Sequence, residues 1–128
     1  MQTLGQLSSN GLNAVNPVNG VEILVAATPP VIPNKDGQTV LLIGSFELTV
    51  NAITSYQLNL RRGPLVTSTL ILGGTNIAFA GAAAQVAVFS VAFSDFLIGS
   101  GPLQYSMTYL QIGANGASFN ATLAALLL

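Results

Sequence analysis

The chain has 128 residues, enough for one domain with a single core. Hydrophobic residues make up 51% of it and charged residues only 5%, against about 25% in an ordinary globular domain. The charges are Glu22, Lys35, Asp36, Glu47, Arg61, Arg62 and Asp95, a net charge of −1, so nucleic-acid binding lacks the basic patch it needs.

Residues 1–20, MQTLGQLSSNGLNAVNPVNG, differ from the rest. They are rich in Gly, Asn, Gln and Ser, and Asn10-Gly11 and Asn19-Gly20 are turn formers. Gly5, Gly11 and Pro17 interrupt any helix, and Asn favours turns over helix interiors. The segment reads as a disordered tail or as an arm that orders only against a partner. In the second case Leu4, Leu7, Leu12, Val15 and Val18 are its docking anchors. Its start has neither a positive n-region nor an apolar h-region, so no secretory signal peptide is expected.

From residue 21 to 128 the signals are those of strands separated by turns. VEILVAAT (21–28) stops at Pro29-Pro30, and the turn NKDG (34–37) leads into TVLLIGSFELTV (39–50). There Phe46, Leu48 and Val50 share one face and Glu47, Thr49 and Asn51 the other. SYQLNLRR (55–62) puts Tyr56, Leu58 and Leu60 inward and Gln57, Asn59 and Arg61 outward. Gly63-Pro64 turns the chain into LVTSTLIL (65–72), which Gly73-Gly74 ends.

The run IAFAGAAAQVAVFSVAF (77–93) imitates a membrane span but falls short of the roughly 20 apolar residues a helix needs. Gln85 sits at its centre, and the β-branched and aromatic residues that follow suit a loop and then a buried strand, QVAVFSVAF (85–93). No membrane partner is expected. LQYSMTYLQI (103–112) aligns Leu103, Tyr105, Met107 and Tyr109 against Gln104, Ser106 and Thr108. After Asn115-Gly116 the chain closes with ASFNATLAALLL (117–128).

Seven or eight short strands without helical periodicity predict an antiparallel sandwich or barrel. In a sandwich one face of each strand meets the core and the other meets water. Residues 85–93 and 123–128 are apolar on both faces, so their outer faces need cover from another subunit. A lone globule of this size exposes roughly 6,000 Å², which seven charges cannot keep apart from its neighbours. The expected partner is therefore the chain itself. The expected interface residues are Tyr56, Tyr105 and Tyr109 on apolar strand faces, with Phe119, Leu123, Leu126 and Leu128 of the closing strand.

GSFELTV, with Gly44, Phe46, Leu48 and Val50, resembles the Gly-x-aromatic-x-aromatic-x-aromatic strand of the tumour-necrosis-factor-like and complement-head-like jelly rolls. ASFNATLAALLL is similar to their closing strand, with Phe119 and Leu123 in the corresponding places and no Gly, and YQLNLRRG followed by LVTSTLIL looks like their hairpin. The resemblance covers residues from about 39 to 128 and implies an all-β antiparallel jelly-roll sandwich, here with an extended N-terminal arm, that forms homotrimers. Within that fold, the low charge, the Ala and Leu richness and the leucine ending look most like the tips of collagen-like glycoproteins on spore surfaces and their fibre-building relatives. No Gly-X-Y stalk precedes the domain; the polar arm stands in its place. The resemblance implies an extracellular or spore-surface fibre in which the arm docks on the next trimer, with other spore-surface proteins as further partners. Extended, an arm of this length spans about 65 Å, enough to reach a neighbour.

Catalysis finds little footing. With no His, Cys or Trp, histidine- and cysteine-based nucleophiles and zinc sites are excluded, and no cofactor or metal is expected. The four acids lie far apart in sequence, which disfavours a carboxylate pair, and Asp36 and Asp95 lack the ligand-rich loop of a calcium site. LGGTNIAFAG and IGSGP lack the Lys-Ser/Thr of a phosphate loop and read as turns. Arg61-Arg62 reads first as a surface pair with no role, the alternatives being pairing with Glu47 on the neighbouring strand or with an acid across an interface. The sequon Asn120-Ala121-Thr122 is expected to be buried in its strand. The leading expectation is a structural, non-enzymatic subunit. The alternatives are a trimeric receptor- or glycan-binding head at a fibre or phage-spike tip and, last, a membrane β protein.

Overall fold

Most strands form where the period-two alternation predicts them, with leucine, alanine and aromatic residues at the inner positions. In a computed structural model the chain is described over residues 6–9, 20–28, 30, 39–50, 55–74, 77–78, 85–96, 103–112 and 117–127. These contain nine strands: β1 (Gln6–Ser9), β2 (Glu22–Ala27), β3 (Thr39–Val50), β4 (Ser55–Arg62), β5 (Thr69–Leu72), β6 (Ile77–Ala78), β7 (Gln85–Phe96), β8 (Tyr105–Ile112) and β9 (Ala117–Leu127). No helix among them is long and apolar enough to cross a membrane.

The strands make two antiparallel sheets, a four-stranded one in the order β1-β9-β3-β7 and a five-stranded one in the order β2-β8-β4-β5, with β6 also on β4. The expected all-β sandwich is what forms. In the four-stranded sheet β3 is central, paired without a shift to β7 from Thr39↔Phe96 to Val50↔Gln85 and to β9 from Val40↔Leu127 to Val50↔Ala117. The five-stranded sheet is less regular, with register shifts at Leu24/Ala26 in β2 and at Leu60/Arg61 between β4 and β5.

Three local expectations change. β5 starts at Thr69 rather than at residue 65, because residues 63–68 form a turn. Gly63 takes φ +137°, a backbone conformation that side chains resist, and Ser68 Oγ accepts a hydrogen bond from Leu65 N at 3.0 Å. β7 runs on to Phe96, because Asp95 has partners inside the sandwich. Part of the N-terminal arm also joins the fold: Gln6–Ser9 pairs with Ala125–Thr122 of β9 in the same chain.

The core lies between the sheets. From β3, Val40, Leu42, Phe46 and Leu48 point inward and are at most 1% exposed, facing Leu58, Leu60, Met107 and Tyr109. Phe46 stacks on Tyr109 at 5.5 Å between ring centroids and lies 6.1 Å from Tyr56, so one aromatic group joins both layers. Gly44 is needed on the same inner row. A Cβ there would meet the Met107 methyl at 2.5 Å and Val91 at 3.1 Å, so the missing side chain is what admits Met107 from the opposite sheet.

Candidate functional site

The residues expected at a subunit interface separate into two groups. Tyr56, Tyr105, Tyr109 and Leu123 are 0–2% exposed and belong to the core of their own chain. This corrects the interface assignment for those four: the opposite sheet already covers the apolar face they share. Leu126 is half-buried and pairs with Leu41 on the outward-facing row of the four-stranded sheet. Phe119 pairs with Leu48 in register, its side chain lying outside what is described, as does all of Leu128. Of the arm anchors, Leu7 sits in β1 opposite Ala124, whereas Leu4, Leu12, Val15 and Val18 lie outside the described residues.

Burial keeps the three tyrosine phenols protonated. Burial raises the phenol of Tyr105, and its hydrogen bond to Asp95 Oδ2 at 2.8 Å raises it further. Burial likewise raises Tyr109, with the nearby Tyr56 phenol adding to the effect, and raises Tyr56 itself.

Because Arg61 and Arg62 are neighbours on one strand, they point to opposite faces of β4. On the outer face Arg61 makes a forked pair with Glu22 of β2, Nε to Oε2 and Nη2 to Oε1, both at 2.9 Å. Its Nη1 donates to the Ser68 carbonyl at 2.8 Å, and Thr108 Oγ1 and Asn59 Nδ2 donate to the same Glu22 carboxylate. On the inner face Arg62 reaches Asp95 of β7 with Nε and Nη2, and the hydrogen bond to that carboxylate raises the Arg62 pKa. The arginines are thus not a surface pair without partners, and neither pairs with Glu47. Glu47 faces outward from the other sheet, next to Asn120, which is exposed rather than buried as expected. Four of the five described charges therefore neutralise one another within the chain.

The outer faces of the two sheets consequently differ. On the five-stranded sheet Glu22, Asn59, Arg61 and Thr108 form a polar, hydrogen-bonded group on the outward face, with half-buried Leu24 and Leu110 and exposed Leu70 beside it. On the four-stranded sheet the outward rows carry Ile43, Val88 and Phe96, exposed by 46%, 71% and 63%, with half-buried Leu41, Ala124 and Leu126 beside them. Glu47 is the charge on these described rows. Across β7, β3 and β9, beside Ile43, the small residues Ser90, Ala92, Ser45, Thr122 and Ala124 line an open hollow of about 450 Å³, floored by a hydroxyl contact of 2.6 Å between Ser45 and Thr122. Exposed apolar side chains and an open hollow lined by small residues thus lie on one surface.

No cluster of three or more His, Cys, Asp or Glu that could hold a metal occurs among the described residues. Asp95, considered above for calcium, is already occupied by Arg62 and Tyr105; Asp36 lies outside the described residues. No family model matches the chain, and no curated protein matches it either. Among solved structures, that of infectious bursal disease virus, Gx strain, is similar over 98% of this chain at 11% identity and a TM-score of 0.48. This chain spans 31% of the length of that one.

Proposed function

We propose that this protein is a structural subunit that binds copies of itself through the outer face of the β1-β9-β3-β7 sheet. The observation that carries the reading is that three large apolar side chains, Ile43, Val88 and Phe96, stand exposed on the outer face of one sheet. They lie among small residues with Glu47 the one described charge of that face, whereas the other face is centred on a hydrogen-bonded polar group. A chain whose other described charges cancel internally has no repulsion to keep such faces apart. Burying Ile43, Val88 and Phe96 contributes roughly 3–5 kcal/mol per copy, against the ~4–15 kcal/mol that association costs. A contact to which several copies contribute, and which includes the half-buried row, is thus the favourable arrangement.

In this reading the sandwich is a jelly roll, supported by the way successive strands pass between sheets ordered β1-β9-β3-β7 and β2-β8-β4-β5. The assembly is a trimer, and trimers stack into an extracellular or spore-surface fibre. The arm makes the axial contact: β1, with Leu7, covers Thr122–Ala125 of β9 in its own chain, and Leu4, Leu12, Val15 and Val18 anchor the rest of the arm on a neighbour. A glycan-binding head gains no support, because the three tyrosines it would present are core residues.

Negative-stain electron microscopy of the full chain beside one starting at Val21 tests the reading. Fibres from the first and discrete small particles from the second are expected. Fibres from both would remove the arm from the mechanism, and single subunits from both would remove the function.

A further inference from the structure

The edges of the two sheets are not equivalent. β1 has four residues, β5 has four and meets β4 across a register shift, and β2 has six and is irregular at Leu24/Ala26. Short length and bulges are the means by which sheets blunt their edges against unwanted pairing. β7 has neither. It runs for 12 residues in unbroken register with β3, and among the described residues nothing pairs with its other side. Its sequence, QVAVFSVAFSDF, contains no proline, glycine or basic residue. Its one acid, Asp95, is turned inward to Arg62 and Tyr105 and does not guard the edge. That inward pair also ties the end of β7 to the opposite sheet, which keeps the edge in place as a template.

We infer that the free edge of β7 pairs antiparallel with β7 of a second copy, joining two four-stranded sheets into one. The inference rests on the self-association reading and names the strand that makes one of its contacts. A second copy suits this edge for two reasons. Antiparallel pairing centred near Ser90 sets Asp95 against the Gln85 end of the partner strand, so no like charges meet. The side-chain period of two also keeps both apolar outer faces on the same side of the joined sheet, so the rows bearing Val88 and Ile43 become continuous across the contact. A charged partner strand would find no complementary charge along this edge. The face itself stays open to a further copy, because the edge is its rim.

The absence of native cysteine makes the test direct. Ser90 and Ser94 are both exposed on β7. In the full chain, Ser90→Cys should give a disulfide-linked dimer on oxidation with copper phenanthroline. Ser94→Cys should not, since centred antiparallel pairing holds its two copies about 20–26 Å apart. In the unmodified protein, amides of residues 85–96 should exchange with deuterium about ten-fold more slowly at assembling than at dilute concentration. An oligomer with no crosslink at Ser90 and no added protection in β7 overturns the edge contact and leaves association through the face intact. A monomer at all concentrations overturns both.

Discussion

Arg62 of β4 and Asp95 of β7 join the two sheets from the inside, with Tyr105 of β8 donating to the same carboxylate. The Asp95 side chain is 7% exposed and that of Arg62 is 35%, so the acid is the group that solvent cannot rescue. Arg62→Met should destabilise the fold by about 1–3 kcal/mol, the upper range being reduced because Arg62 is partly solvated. Thermal unfolding should move down by about 4–12 °C. Adding Asp95→Leu should restore much of the loss, because the uncompensated carboxylate is then gone. A double variant no more stable than Arg62→Met would mean that the pair is not what joins the layers.

All three tyrosines are buried, and each phenol is raised above its ordinary value, mainly by burial. A raised folded-state pKa gives stability that is complete below the unfolded value of about 10 and is lost as pH rises above it. Above pH ~10 the unfolded chain releases phenolic protons that the folded chain keeps, so alkali favours unfolding. Absorbance at 295 nm and far-ultraviolet circular dichroism should therefore change together in one alkaline transition. Phenolate appearing near pH 10 with the sheet signal unchanged would place the tyrosines in contact with water.

Gly44 leaves the space through which Met107 crosses the core. Gly44→Ala should cost about 1–3 kcal/mol by overpacking, with the loss reduced in Gly44→Ala/Met107→Val. Equal melting temperatures for Gly44→Ala and the parent would show that Met107 moves aside freely.

Alternation in the sequence made the strands legible, since Phe46 and Leu48, or Tyr56, Leu58 and Leu60, can only be one face of a pleated strand. What covers that face was not legible. A period of two says that Tyr105 and Tyr109 share a side with Met107, but not whether the opposite sheet or another subunit packs there; the sheet does. Ion-pair partners were hidden for a related reason. Arg61 finds Glu22 and Arg62 finds Asp95, 39 and 33 residues away, through strand order that local spacing does not encode. The four-residue strand β1 lies in a segment whose Gly and Asn content signals turns, and only its partner β9 makes it a strand. The apolar outward rows of β7 and β9 were visible as two-faced strands before the sheet order placed them side by side with β3.

The central claim is that copies associate through the outer face of the four-stranded sheet. Ile43 lies at its middle, on the central strand β3 and away from either edge. Sedimentation velocity of the full chain beside Ile43→Glu over a range of concentrations tests this most directly. The parent should sediment as trimers and larger species, and the variant, with unchanged circular dichroism, as nothing larger than the dimer that β7 edge pairing alone can hold. A charge at Ile43 meets water in the monomer and an apolar face in the assembly. A parent that stays monomeric, or a variant that assembles as the parent does, would contradict the account.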